Sequence, residues 1–234
     1  MGQLQDRIAL VTGASRGIGR AVAKRFAQEG AHVVLVARTE GGLVELYDEI
    51  ITEDGSATIV VADLTNFDLI DQMAVGLGER FGRLDILVAN AGMLGPMGPV
   101  SHVEPDVWRQ VMDLNVTANW RLIRAFEAHL KQSDAGRIIL VSSGITAAPR
   151  AYLGPYAASK AALESLGGTF AAETVKTSIR VNTIDPGSTR TAMRRAAYPG
   201  EDPQTVKPPE DVAETFVDLA SPECTRHGDL IRLT

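Results

Sequence analysis

The sequence has little cysteine, no excess of basic charge and no long apolar run. Cys224 is the single cysteine in 234 residues, so no internal disulfide can form, and no CxxC or Cys/His pairing marks a structural metal site. His32, His102, His129 and His227 are scattered without ligand spacing, so no metal is expected. No apolar stretch approaches the roughly 18 residues of a membrane span. The N-terminus runs from Met1 to Asp6 directly into a strand-like run, without a basic n-region or a small-residue cleavage site, and a cytoplasmic protein is the expectation. Basic side chains number 23 against 29 acidic ones, a net charge of −6. That balance lacks the electrostatic footprint of a nucleic-acid binder.

What is present is ordinary in amount and informative in order. Apolar residues make up 45% and charged residues 22%, as in soluble globular proteins. Short runs rich in Val, Ile and Leu recur at 7–11, 32–37, 57–61, 85–89, 137–141, 178–184 and 230–233. Most are continuous rather than alternating, the pattern of strands buried on both faces. Between them, residues 17–28, 40–53, 66–81, 104–130, 155–177 and 209–219 carry helical spacing. Strand and helix therefore alternate throughout, which predicts one doubly wound α/β domain with a parallel sheet over residues 1–234. The segment 198–209 holds Pro199, Gly200, Pro203, Pro208 and Pro209 and reads as a surface loop near a ligand crevice, with a helix restarting at Pro209.

The first strand runs into Thr12-Gly13-Ala14-Ser15-Arg16-Gly17-Ile18-Gly19 at the start of the first helix. Glycine lets the backbone turn sharply and approach a ligand, while free amides and the dipole at a helix N-terminus attract phosphate. The spacing G-x-x-x-G-x-G is neither the common dinucleotide G-x-G-x-x-G nor a P-loop. Its place after the first strand of an alternating pattern points to a nucleotide. The second strand ends Val36-Ala37-Arg38, without an acid to bond the ribose hydroxyls of NAD. Arg16 and Arg38 are suited to clamp a 2′-phosphate with charge-assisted hydrogen bonds, which favours NADP(H) over NAD(H).

Further along, Tyr156 and Lys160 are four apart in a helical segment, so their side chains share a face. An ammonium beside a phenol lowers its pKa from about 10 toward working pH. Ser142 and Ser143 precede this pair at the end of the fifth strand, where a doubly wound fold presents ligand-binding groups. Only one of two adjacent strand residues faces a given side, so one of the two serines points away from the site.

With these motifs the chain resembles the short-chain dehydrogenase/reductase family, in its branch with TGxxxGxG and YxxxK motifs. Thr12-Gly13-x-x-x-Gly17-Ile18-Gly19, Asp63, Asn90-Ala91-Gly92, Asn115, Ser143, Tyr156-x-x-x-Lys160 and Pro186-Gly187 followed by Thr191 match the family's motifs in order. The resemblance implies a Rossmann fold with a seven-stranded parallel sheet in the order 3-2-1-4-5-6-7. It also implies cofactor contacts from Gly13, Ser15, Arg16, Gly17, Ile18, Gly19, Arg38, Asp63, Leu64, Asn90, Ala91, Gly92, Tyr156, Lys160, Pro186, Gly187 and Thr191. The implied catalytic set is Asn115, Ser143, Tyr156 and Lys160: Tyr156 exchanges the proton, Ser143 orients and polarises the carbonyl, Lys160 tunes Tyr156 and contacts ribose, and Asn115 holds Lys160 through a water. Hydride would pass between nicotinamide and a carbonyl or secondary alcohol.

The substrate class stays open among oxoacyl thioesters, steroid-like ketones, sugars and other carbonyl compounds. The alternatives are a 3-oxoacyl-[acyl-carrier-protein] reductase, against which only Arg124, Lys131 and a few other basic residues offer docking groups for an acidic carrier, and a non-catalytic NADP(H)-binding regulator. A variable lid is expected around 191–209, where Met193, Arg194, Arg195 and Tyr198 hint at an anionic or aromatic substrate. The resemblance further implies a homodimer or homotetramer through the helices at 106–130 and 155–177, where Trp108 and Trp120 read as core or subunit packing. Family members commonly continue past the last strand to a Gly-Gly, whereas this sequence stops at Thr234, which favours the dimer.

Overall fold

Val, Ile and Leu fill consecutive strand positions because both faces of the sheet are covered. In the computed structural model, which describes residues 2–148 and 150–233, the strands are β1 (Ile8–Thr12), β2 (His32–Ala37), β3 (Ser56–Val61), β4 (Ile86–Ala89), β5 (Arg137–Val141), β6 (Arg180–Asp185) and β7 (Leu230–Arg232). All pairings are parallel, in the order β3-β2-β1-β4-β5-β6-β7. Successive side chains leave a strand on opposite faces. Ala9, Val11, Val33, Leu35, Val88 and Ile139 accordingly pack on one side, and Leu10, Val34, Val36, Leu87, Ile138 and Leu140 on the other.

The helices supply the covering layers. On the first side lie α1 (Gly17–Gln28), α2 (Glu40–Thr52) and α8 (Glu210–Ala220), through Phe26, Leu46 and Phe216. On the second lie α3 (Phe67–Phe81), α5 (Ala118–Lys131) and α6 (Gly154–Thr174), through Met73, Phe126 and Phe170. Among the described residues no helix is long and apolar enough to cross a membrane.

Two expected elements differ. The segment 104–130 is not one helix: α4 (Pro105–Met112) and α5 are joined by a π-helical stretch, Asp113–Thr117. A π-turn inserts one residue into the helix and turns the side chain beside it. Here that side chain is Asn115, which is fully buried; its Nδ2 donates to the Met93 carbonyl at 2.9 Å and its Oδ1 accepts from the Met93 amide at 2.8 Å. Asn119 Nδ2 donates to the Asn115 carbonyl at 2.7 Å, giving a partner to a carbonyl in the disturbed ladder. The second difference lies in the expected lid, where residues 191–209 contain a short helix, α7 (Ala192–Ala197), and a 3-10 turn, Pro203–Thr205. Pro209 stands just before α8 in helical conformation rather than inside it.

The order of strands reverses between β1 and β4, and a crevice opens above their C-terminal ends at such a reversal. The loops after β1, β2, β4, β5 and β6 all converge there.

Candidate active site

Thr12, the last residue of β1, ties the first loop to the fourth. Its hydroxyl accepts from the amides of Asn90 at 3.0 Å and Ala91 at 2.9 Å, while Asn90 Nδ2 donates to the Thr12 carbonyl at 2.9 Å. Gly13 has φ +68°, a left-handed conformation that glycine adopts at no steric cost. Gly19 has a different reason: a Cβ there would stand 2.4 Å from the Gly13 carbonyl oxygen and 2.5 Å from Asn90 Nδ2. Gly19 therefore packs directly against the Gly13 carbonyl and the Asn90 side chain. Among the described residues no side chain caps α1, which leaves its first amides open to a ligand or solvent.

The resulting cleft, about 650 Å³, is lined by Gly13, Ser15, Arg16, Gly17, Ile18, Arg38, Asp63, Leu64, Asn90, Ala91, Gly92, Tyr156, Lys160, Pro186 and Thr191. Of the expected cofactor contacts this leaves out Gly19 and Gly187, and Gly187 lines the adjoining pocket. Asp63 Oδ1 accepts from the Thr65 amide at 2.9 Å and the Thr65 hydroxyl at 2.7 Å. Those bonds, with a weaker pull from Arg38, hold its carboxyl below the usual range. Arg16 and Arg38 are both exposed, and among the described residues neither forms an ion pair.

The chemical end is assembled from β5 and α6. Tyr156 and Lys160 project from the first turns of α6 and are buried. Lys160 Nζ donates to the Val141 carbonyl at 2.7 Å and lies 5.8 Å from the centre of the Tyr156 ring. Burial pulls the Lys160 ammonium down to about 8, while the Glu164 carboxylate one turn on works the other way. Burial also raises the Tyr156 phenol above its ordinary value; the Ser143 hydroxyl opposes this, and the Asp185 carboxylate adds to it. Of its neighbours only Ser143 lowers it, so in the protein alone Tyr156 does not show the lowering expected from Lys160.

Ser143 and Tyr156 face one pocket. Ser142 turns to Glu164, whose Oε1 accepts from Ser142 Oγ at 2.5 Å and from Thr146 Oγ1 at 2.8 Å. Asn115 does not bond Lys160. Its side chain is committed to Met93 and to Ser159 Oγ, at 2.9 Å. The two residues do flank one gap, since a Cβ on Gly92 would lie 3.1 Å from Asn115 Oδ1 and 3.5 Å from Lys160 Nζ.

Several residues escaped sequence reasoning. Glu164 sits four after Lys160, the spacing that pairs charges on a helix, and that signal could have found it. Asp185, buried, accepts from the Gly187 amide at 2.9 Å; it ends a strand, and nothing in its neighbourhood distinguishes it from a terminal turn residue. Met93, Leu94 and Leu114 line the nucleotide cleft as apolar wall. Among the described residues no group of three His, Cys, Asp or Glu side chains is arranged to hold a metal.

Comparison with known proteins agrees with this geometry. Residues 7–202 match the profile of the short chain dehydrogenase family. An uncharacterised oxidoreductase of Escherichia coli, YciK, is 41% identical over 226 residues, 95% of this chain and 89% of its own length. The 3-oxoacyl-[acyl-carrier-protein] reductase FabG of Vibrio harveyi is 32% identical, covering 94% of this chain and 92% of FabG. A structure from Shigella flexneri, described as a short-chain dehydrogenase complexed with NADP, superposes with a TM-score of 0.92 at 38% identity, covering 99% of each chain.

Proposed function

Because this chain belongs to the short-chain dehydrogenase/reductase family, we propose that it is an NADP(H)-dependent oxidoreductase that interconverts a carbonyl compound and its alcohol, with Tyr156 as general acid and base. The observation that carries this reading is the convergence of Ser143, Tyr156 and Lys160 where the nucleotide cleft meets a second pocket. Tyr156 lines both spaces.

The residues present fit the dinucleotide. A Cβ at Gly13 would fill the cradle beside Asn90, among the described residues no side chain caps α1, and Arg16 and Arg38 bring two charges to the end of β2, where Ala37 replaces an acid. The NADP held by the Shigella flexneri structure supports the same choice. When bound, NADPH supplies the hydride. The protein's own residues orient and move the proton. Ser143 donates to the substrate oxygen and steadies the charge that develops there, and Tyr156, kept protonated by its burial, gives that oxygen its proton. Lys160 keeps a positive charge beside Tyr156 at neutral pH, since its value of about 8 lies above 7.

The likeness to FabG favours a second reading, reduction of an oxoacyl group on an acyl-carrier protein. Of the basic residues expected to dock an acidic carrier, Lys131 is already paired with Glu127 at 2.6 Å and Arg124 lies beside the Trp120 ring. Arg124, which has no carboxylate partner among the described residues, is therefore the one of the two still open to such a carrier.

The test is NADPH oxidation over a panel of ketones, aldehydes and oxoacyl thioesters, with Tyr156→Phe as the diagnostic variant. Turnover should fall by at least about a hundredfold, the scale of general acid catalysis, while NADPH affinity is retained. Turnover preserved in Tyr156→Phe would remove this residue as the acid. NADPH binding with no turnover across the whole panel would favour the regulator.

A further inference from the structure

The pocket that meets the nucleotide cleft at Ser143 and Tyr156 occupies about 220 Å³. Among the described residues two guanidinium groups line it, Arg150 and Arg194, and no carboxylate does. Their situations differ. Arg194 donates through Nε and Nη2 to both oxygens of Glu201, at 2.7 and 2.6 Å, so its charge is matched within the lid. Among the described residues Arg150 has no carboxylate within ion-pair distance. Glu201 feels Arg150 only after its own bonds to Arg194.

Arg150 is nonetheless held in place. Its Nη1 donates to Tyr198 Oη at 2.5 Å, and the Tyr198 ring lies 4.0 Å from the Arg194 guanidinium carbon and 5.7 Å from that of Arg150. A guanidinium has five N–H donors. The bond to Tyr198 uses one and leaves the others for a planar anion.

We propose that Arg150 is a substrate-anchoring residue and that the substrate is a compact oxo acid, its carboxylate on Arg150 and its ketone or aldehyde oxygen between Ser143 and Tyr156. The remaining wall, with Leu94, Ile145, Leu153 and Met193, suits an apolar body between the two polar ends. This moves the expected anionic preference from the lid arginines to a residue on the loop between β5 and α6, because Glu201 neutralises Arg194. The carbonyl half of the proposal rests on the oxidoreductase reading; the carboxylate half is open to a binding measurement that needs no turnover.

The experiment uses 4-acetylbenzoate and its methyl ester, which differ in charge and share the ketone. Each is titrated calorimetrically into the NADP⁺-loaded protein and each is assayed as an oxidant of NADPH. The acid should bind at least about tenfold more tightly than the ester, as expected for one charge-assisted contact, and its KM should be lower in the same proportion. Arg150→Gln should bring the acid-to-ester ratio close to one, and Arg150→Lys should restore part of it. Retained NADP⁺ affinity in both variants checks that they are folded. Equal binding of acid and ester by the unaltered protein, an acid affinity indifferent to Arg150→Gln, or no saturable binding of the acid would each overturn the anchor. Charge-dependent binding without NADPH oxidation would leave the anchor standing and count against the oxidoreductase reading.

Discussion

Glu164 accepts hydrogen bonds from Ser142 and Thr146 on the loop that carries Ser143, and its charge raises the proton affinity of Lys160. One carboxylate thus positions the serine loop and offsets part of the desolvation of the lysine. Replacing Glu164 with Gln keeps an acceptor for the two hydroxyls and removes the charge. Under the proposed mechanism, ketone reduction should lose rate above about pH 8 as Lys160 gives up its proton. In Glu164→Gln that inflection should move to lower pH, with kcat/KM near pH 6 changed much less. A pH profile of kcat/KM that superposes on the original would show that Glu164 does not act through Lys160. None of this follows from composition: Glu164 and Lys160 have a legible helical spacing, but the link to Ser142 exists only once β5 lies against α6.

Between elements, the β2–β3 pairing contains a titratable link. His32 Nδ1 meets Ser56 Oγ at 2.6 Å, its Nε2 meets Thr58 Oγ1 at 2.8 Å, and its ring lies 4.9 Å from that of Phe81. Burial, then the nearby Arg80 charge, lowers its pKa from 6.5. The unfolded chain therefore takes up this proton more readily than the folded one. The stability that the neutral ring contributes is complete above about pH 6.5 and declines as pH falls through that value toward the folded pKa. Urea midpoints should drop between pH 7.5 and 5.5, and His32→Gln should flatten that drop. An unchanged slope in the variant would assign the decline to other groups. The depressed carboxylates Glu29, Asp63 and Asp134 titrate below this window.

Elements also show where periodicity stops being informative. The apolar repeat through 104–130 continues across the π-helical stretch, so nothing in the pattern marks a break. The break follows from hydrogen bonds between Asn115 and the Met93 backbone, a contact between the loop after β4 and a helix that is distant in sequence.

Across the whole molecule, the strand order brings together charges that no local pattern connects. Arg16 belongs to the loop after β1 and Arg38 to the end of β2, and adjacent strands in β3-β2-β1-β4 set them on one cleft. Arg38→Asp should weaken NADPH binding by about ten- to a hundredfold through loss of charge-assisted contacts, and should affect NADH far less. Fluorescence titration of both nucleotides measures this, and an equal loss for both would count against a 2′-phosphate contact at Arg38.

The sequence by itself determined the alternation of strands and helices, the parallel sheet and most of the nucleotide cleft. Short continuous Val, Ile and Leu runs that alternate with helical segments suit a sheet covered on both faces, and the glycine loop follows the first of them. Tertiary structure alone decided the protonation and partners of the chemical groups. Burial raises Tyr156 and lowers Lys160, Glu164 holds the Ser142 hydroxyl, and Glu201 matches Arg194, while among the described residues Arg150 has no carboxylate within ion-pair distance. Desolvation and ion pairing depend on what surrounds a side chain in three dimensions, and residues far apart in the chain supply those surroundings.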